Sequence, residues 1–183
     1  PCRIDGQEPW STATELIRVR GDLDLQLLCE LPGADDSANV AAVARAAVAA
    51  ALLDVPLFLE PLVDLDRTMD VANGLLDGLC NPRPPFDTAR CAAAVLRACG
   101  SAGDTVEVHR PHGSEVITCG KATLVIPGPT EHLLGDLLEP DVARRRVCRL
   151  AVGLVRDLED TQPASPTGGP LLIFPAGSES GLP

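Results

Sequence analysis

Tyrosine is absent from this 183-residue chain, and one Trp and three Phe are its only aromatic residues. The stacking platforms on which single-strand nucleic-acid binders rely are therefore missing, and any core has to be built from Leu, Val, Ile and Ala. Basic charge is scarce too. Lys121 is the one lysine, and 15 Lys and Arg stand against 26 Asp and Glu, for a formal net charge of −11. An acidic surface repels a phosphate backbone, so no direct nucleic-acid partner is expected. Long apolar runs are missing as well: the longest, Ala46 to Leu53, is bounded by Arg45 and falls far short of the roughly 20 residues a bilayer span needs, so no membrane span is expected.

Several signatures of chemistry are also absent. There is no Cys-x-x-Cys pair, which removes zinc ribbons and thioredoxin-type redox sites. Neither G-x-x-x-x-G-K-[ST] nor G-x-G-x-x-G occurs, which removes the usual ATP and dinucleotide sites, and no metal or cofactor is expected. The amino end lacks the basic-then-apolar character of a signal peptide, and no Asn-x-Ser/Thr sequon is found.

Seven cysteines are present, an odd number. Cys91, Cys99 and Cys148 fall on apolar helix faces in this reading, so reduced, core-packed thiols in an intracellular protein of the cytoplasm or nucleus are expected. The alternative is a secreted or viral envelope-associated subunit held by disulfides, since the chain begins at Pro1 and a signal peptide removed from it would leave no trace.

The hydropathy pattern changes period along the chain. From Thr14 to Leu31, Ile17 and Val19 alternate with arginines, and Leu23, Leu25 and Leu27 alternate with Asp24 and Gln26 across a Gly21-Asp22 break, which predicts a β-hairpin. Val40, Val43, Ala44, Ala47, Val48, Ala51 and Leu52 then form one continuous helical stripe behind Asp35-Asp36-Ser37, predicting a helix over about Ala38 to Asp54. A second helix is read from Leu62 to Leu79, and a third from an Asp87-Thr88 cap to Cys99 with Gly100 as its stop.

Period two returns at Val106 and Val108, at Val116 to Cys119 and at Ala122 to Ile126, joined by connections too short for parallel crossovers, so a three-stranded antiparallel meander is expected. Two C-terminal helices follow in this reading, a short one from Pro129 to Leu138 and a longer one from Pro140-Asp141 to about Asp160. The expected fold is thus α+β: an N-terminal hairpin, three helices, the meander and two helices, with helices covering one face of the sheet. Residues 1–160 form one domain, and the Pro-, Gly- and Ser-rich residues 161–183 form a disordered tail in which Leu171 to Phe174 is an apolar island suited to docking or to adding a strand.

Candidate chemistry is thin. His109, His112 and Cys119 have ligand character, but a separation of three along a strand sends the two histidines to opposite faces. A Cys–His nucleophile pair would need Cys119 or Cys91 beside His109, His112 or His132, which no local motif supports, so a small metal-dependent or Cys–His hydrolase is the weakest alternative. The acidic pairs Asp22/Asp24, Asp35/Asp36, Asp64/Asp66 and Glu159/Asp160 sit in caps, turns and helix faces, where solvation explains them. What remains is recognition. Arg145, Arg149 and Arg156 lie on one face of the last predicted helix, Phe58 on an apolar connector between Pro56 and Pro61, Phe174 in the tail, and Trp10 alone in the N-terminal arm. These six residues are the candidate contacts of a non-catalytic interaction domain, a subunit or adaptor that binds another protein through the last long helix or the tail.

Overall fold

The computed structural model describes residues 2–19, 25–33, 35–63, 74–99, 106–138 and 145–176. The class is α+β, with four helices, a parallel three-stranded sheet and a six-stranded antiparallel sheet. The order of elements differs from the one read in the sequence.

The first half is a strand–helix alternation. Strand β1 (Cys2–Asp5), helix α1 (Trp10–Val19), strand β2 (Leu27–Glu30), helix α2 (Asp36–Leu53) and strand β3 (Leu57–Glu60) follow one another, and the strands pair in parallel in the order β1-β2-β3. The expected N-terminal hairpin is therefore replaced by a helix and a parallel strand, and its turn, Gly21-Asp22, lies outside the described residues. The arm before Thr14 explains the change. Trp10 and Ala13 are buried at helical spacing, and pairing with Cys2–Asp5 gives β2 a neighbour on its own side of the chain.

Helix α2 agrees with its sequence stripe. The Asp35 carboxylate accepts a 2.7 Å hydrogen bond from the Ala38 N–H, and Asp54 ends the helix in the left-handed region at φ 52°. Its small residues let neighbours in on several sides: it packs against α1, β2, β3, helix α3 (Pro84–Cys99) and the larger sheet. By length and apolar character α2 is able to cross a bilayer, yet in this fold it is a core helix.

Residues 64–73 of the second expected helix lie outside the described residues. Its last third is not helical. Asp77 closes a turn instead, accepting from Leu79 N–H (2.8 Å), Asn81 N–H (2.8 Å) and the Asn81 side-chain amide (2.9 Å), and the Asn81 bonds hold its carboxyl below the usual range. Helix α3 starts three residues before the expected cap, at Pro84. Thr88 is no cap: its hydroxyl donates back to the Pro84 carbonyl at 2.9 Å.

The meander is present as β4 (Val106–His109), β5 (Glu115–Cys119) and β6 (Ala122–Ile126). Beyond it lie β7 (His132–Leu133), the single-turn α4 (Leu134–Leu137), β8 (Arg145–Arg149), β9 (Leu154–Asp157), β10 (Pro163–Ala164) and β11 (Leu171–Pro175). The long C-terminal helix is thus a β8–β9 hairpin. Alternation decides it: Arg145, Val147 and Arg149 take one face, Arg146 and Cys148 the other, and Gly153 at φ 65° supplies a turn conformation that a helix does not use.

The expected disordered tail contributes β11, which lies between β6 and β8 in the order β4-β5-β6-β11-β8-β9 and carries four buried residues, Leu171 to Phe174. One face of this sheet, with Ile117, Leu124, Cys148, Leu172 and Phe174, packs in the cluster that α2 and α3 complete. The other, with Val116, Val125, Val147, Leu171 and Ile173, is covered by Leu134 and Leu137 of α4 and Ala164 of β10.

Candidate functional site

Two of the sequence-picked residues come together. Arg149 and Leu154 face each other across β8 and β9, and Arg156 stands opposite Val147 on the same face. With Gln162 they line a recess of about 320 Å³. Arg149 also lies against Gly168, where any side chain would run into its guanidinium. Among the described residues Arg145, Arg149 and Arg156 have no ion-pair partner, although carboxylates outnumber cations in the chain, whereas their strand neighbour Arg146 is bound to Asp157 at 3.2 Å. Strand β9 is the outermost of the sheet, so its outward backbone groups are unclaimed by any described strand, and the exposed Val152 and Leu154 flank that edge.

Of the other four picks, Arg145 shares that face of β8 without lining the recess, and three lie elsewhere. Phe58 is half exposed on β3, facing away from α2, in one row with Leu28 and Arg3 on the open face of the parallel sheet; the next row is Asp5, Glu30 and Glu60. Trp10 is buried and serves the interior. Its indole N–H donates 3.0 Å to Glu115 Oε1, while Arg45 Nε and Nη2 hold Oε2 at 2.8 and 2.7 Å. Phe174 is fully buried under α3 and cannot meet a partner in this fold.

The Trp10–Glu115–Arg45 cluster escaped the sequence reading because its members are 35 and 70 residues apart in the chain, and only the docking of β5 beside α1 and α2 joins them. Gln162 gives no signal in the sequence, because it sits among the Pro, Ser and Gly that suggest an unstructured tail. The cluster is structural: both carboxylate oxygens are engaged, and nothing remains for a substrate.

Catalytic arrangements are not assembled among the described residues. No group of three His, Cys, Asp or Glu side chains converges. His109 is exposed beside Glu107, and Cys119 stands opposite Val106 at the far end of the β4–β5 pair, on the other face. His112 instead stacks on His132 with ring centres 4.8 Å apart. None of the seven cysteines is in a disulfide. Burial pushes the Cys29 and Cys119 thiols up to about 11, the neighbouring Asp5 and Glu30 adding to the rise at Cys29, so neither is an activated nucleophile. A cleft of about 690 Å³ runs between α2, β3 and α3 past Ala50, Leu57, Ala93 and Leu96, with Asp54 and Arg97 as its charged lining.

Comparison of the chain with protein-family models, with curated proteins and with solved structures finds no match.

Proposed function

We propose that the chain is a non-catalytic interaction domain, a subunit or adaptor of a larger intracellular assembly, that docks an acidic, extended segment of another protein along β9. The observation that carries this reading is the recess between Arg149 and Arg156, two guanidinium groups left without an ion-pair partner among the described residues of an acidic protein.

Arginine offers a planar fork of donors suited to carboxylates. An unpaired edge strand offers backbone hydrogen bonds to an extended chain, and the alternate side chains of that chain would reach the recess. Val152 and Leu154 add apolar area at the same edge. Phe58, on the open face of the other sheet, is a separate contact of the same kind, suited to a second subunit.

Amide hydrogen exchange tests the edge directly. Addition of a synthetic peptide of alternating Glu and Val should slow exchange at Leu154–Asp157 and leave β4, the opposite edge, unchanged. Equal exchange at β9 with and without saturating peptide would refute the reading.

A further inference from the structure

Arg149, Arg156 and Gln162 line the recess at β8 and β9 together with Leu154, and among the described residues no acidic side chain lines it. None of these three polar side chains makes a hydrogen bond or ion pair among the described residues. The backbone of Gln162 is engaged, its N–H on the Glu159 carbonyl and its carbonyl with the Leu134 N–H, both at 2.9 Å, which leaves the side-chain amide as its free hydrogen-bonding group. The nearby acids belong to a wider hollow of about 600 Å³, which shares Arg149, Arg156 and Gln162 with the recess and adds Arg146, Asp157 and Glu159. There Asp157 is bound to Arg146 at 3.2 Å. Arg149 is held in place, because its guanidinium lies against Gly168, where a Cβ would collide with it.

We propose that the recess is a phosphoryl-binding site, which takes the phosphate of a phosphoserine carried by the acidic segment docked on β9; the proposal rests on that docking reading. A Glu side chain brings one negative charge and two oxygens, too little charge for two guanidinium groups. A phosphoserine brings about −1.5 to −2 at pH 7 and three strong acceptor oxygens, a match for two guanidinium forks and one amide. At about 320 Å³ the recess is at the small end of ligand-sized cavities, which suits one side-chain head group.

The strand register sets where the phosphate has to be. Leu154 and Arg156 stand on one face of β9, opposite Arg149 and Val147, while Val155 and Asp157 stand on the other, opposite Cys148 and Arg146. A segment added as a further strand shows alternate side chains to each face. A phosphoserine on the recess side meets Arg149 and Arg156, and one moved by a single residue turns to the side of Asp157.

The experiment is fluorescence anisotropy of the full chain with three labelled peptides: the alternating Glu and Val peptide, the same peptide with phosphoserine in place of its central Glu, and the same with phosphoserine in place of the neighbouring Val. Phosphoserine at the Glu position should tighten binding by at least about ten-fold over the parent, and at the Val position it should bring no gain. Arg156→Lys, which keeps the charge and loses the planar fork, should weaken the phosphopeptide more than the parent. Equal affinity of parent and phosphopeptide overturns the proposal and leaves the docking reading standing. A gain of the same size from either position overturns it by showing general charge attraction. Displacement of the phosphopeptide by an equal concentration of inorganic phosphate overturns it by showing that a small anion is the ligand. Failure of all three peptides to bind overturns the proposal and the docking reading together.

Discussion

Arg45 places two nitrogens, Nε at 2.8 Å and Nη2 at 2.7 Å, on a single oxygen of Glu115, leaving the other oxygen to Trp10 at 3.0 Å. A carboxylate this enclosed, with its side chain 10% exposed, is held by α1, α2 and β5 at once. It joins the strand–helix half of the chain to the antiparallel half.

Neutralising Glu115 takes the ion pair from the largely buried Arg45, and removing the Trp10 indole takes a donor from Glu115 Oε1. Glu115→Gln should cost roughly 3–5 kcal/mol of unfolding free energy, and Trp10→Phe about 1.5–3 kcal/mol through loss of a bond to a charged group. Urea denaturation of the two variants checks both, and the order of the two losses is the informative result.

Phe174 lies within the sheet rather than at an interface, so Phe174→Ala should destabilise by about 3–5 kcal/mol. The same substitution should leave any partner affinity intact in the fraction that stays folded. Thermal unfolding together with a binding isotherm separates the two effects.

Alkaline pH should weaken the fold. The thiols of Cys29 and Cys119 are raised from 9.0 to about 11, and that of Cys148 to about 12, in each case chiefly by burial. An unfolded chain releases these protons from about pH 9 upward while the folded chain keeps them. The contribution is therefore whole below pH 9 and is lost as pH climbs through 11 to 12. Denaturation midpoints at pH 7.5, 9 and 10.5 should fall in that order, and Cys119→Ala should flatten the slope.

Thiol-reactive dyes should sort the cysteines by burial. Exposed Cys80 reacts first in native protein, while Cys29, Cys91, Cys119 and Cys148 react only on unfolding. Labelling followed by peptide mapping reads this out.

Local pattern made some of the fold legible and long-range pairing hid the rest. Helix α2 was readable because one uninterrupted stripe of small apolar residues and an Asp35 cap agree, and the β4–β5–β6 meander because its connections are too short for any other pairing. Val147, Leu150, Ala151, Leu154 and Leu158 fit a helical stripe as well as the hairpin, in which Val147 and Leu154 are on strands and Leu150 and Ala151 in the turn. Only the central position of β11, whose Leu172 and Ile173 lie beside Cys148 and Val147, makes β8 a strand. β11 itself was obscured by the Pro, Gly and Ser around it. Arg145, Arg149 and Arg156 share one face of the hairpin, and period two on a strand and the helical spacing both put Arg145 and Arg149 together. The recess that Arg149 and Arg156 line is completed by Leu154 and Gln162, which only the β8–β9 hairpin and the folded C-terminal stretch bring to them.

Affinity for a fluorescent peptide of alternating Glu and Val, measured for the wild type, for Arg149→Glu/Arg156→Glu and for Arg3→Glu as a surface control, tests the central claim most directly. The double charge reversal should weaken binding by at least about ten-fold, on the order of 1.4 kcal/mol, with Arg3→Glu close to wild type and the wild-type affinity falling as salt is raised. Equal affinity of all three proteins, or binding that survives the double reversal at every salt concentration, would contradict it.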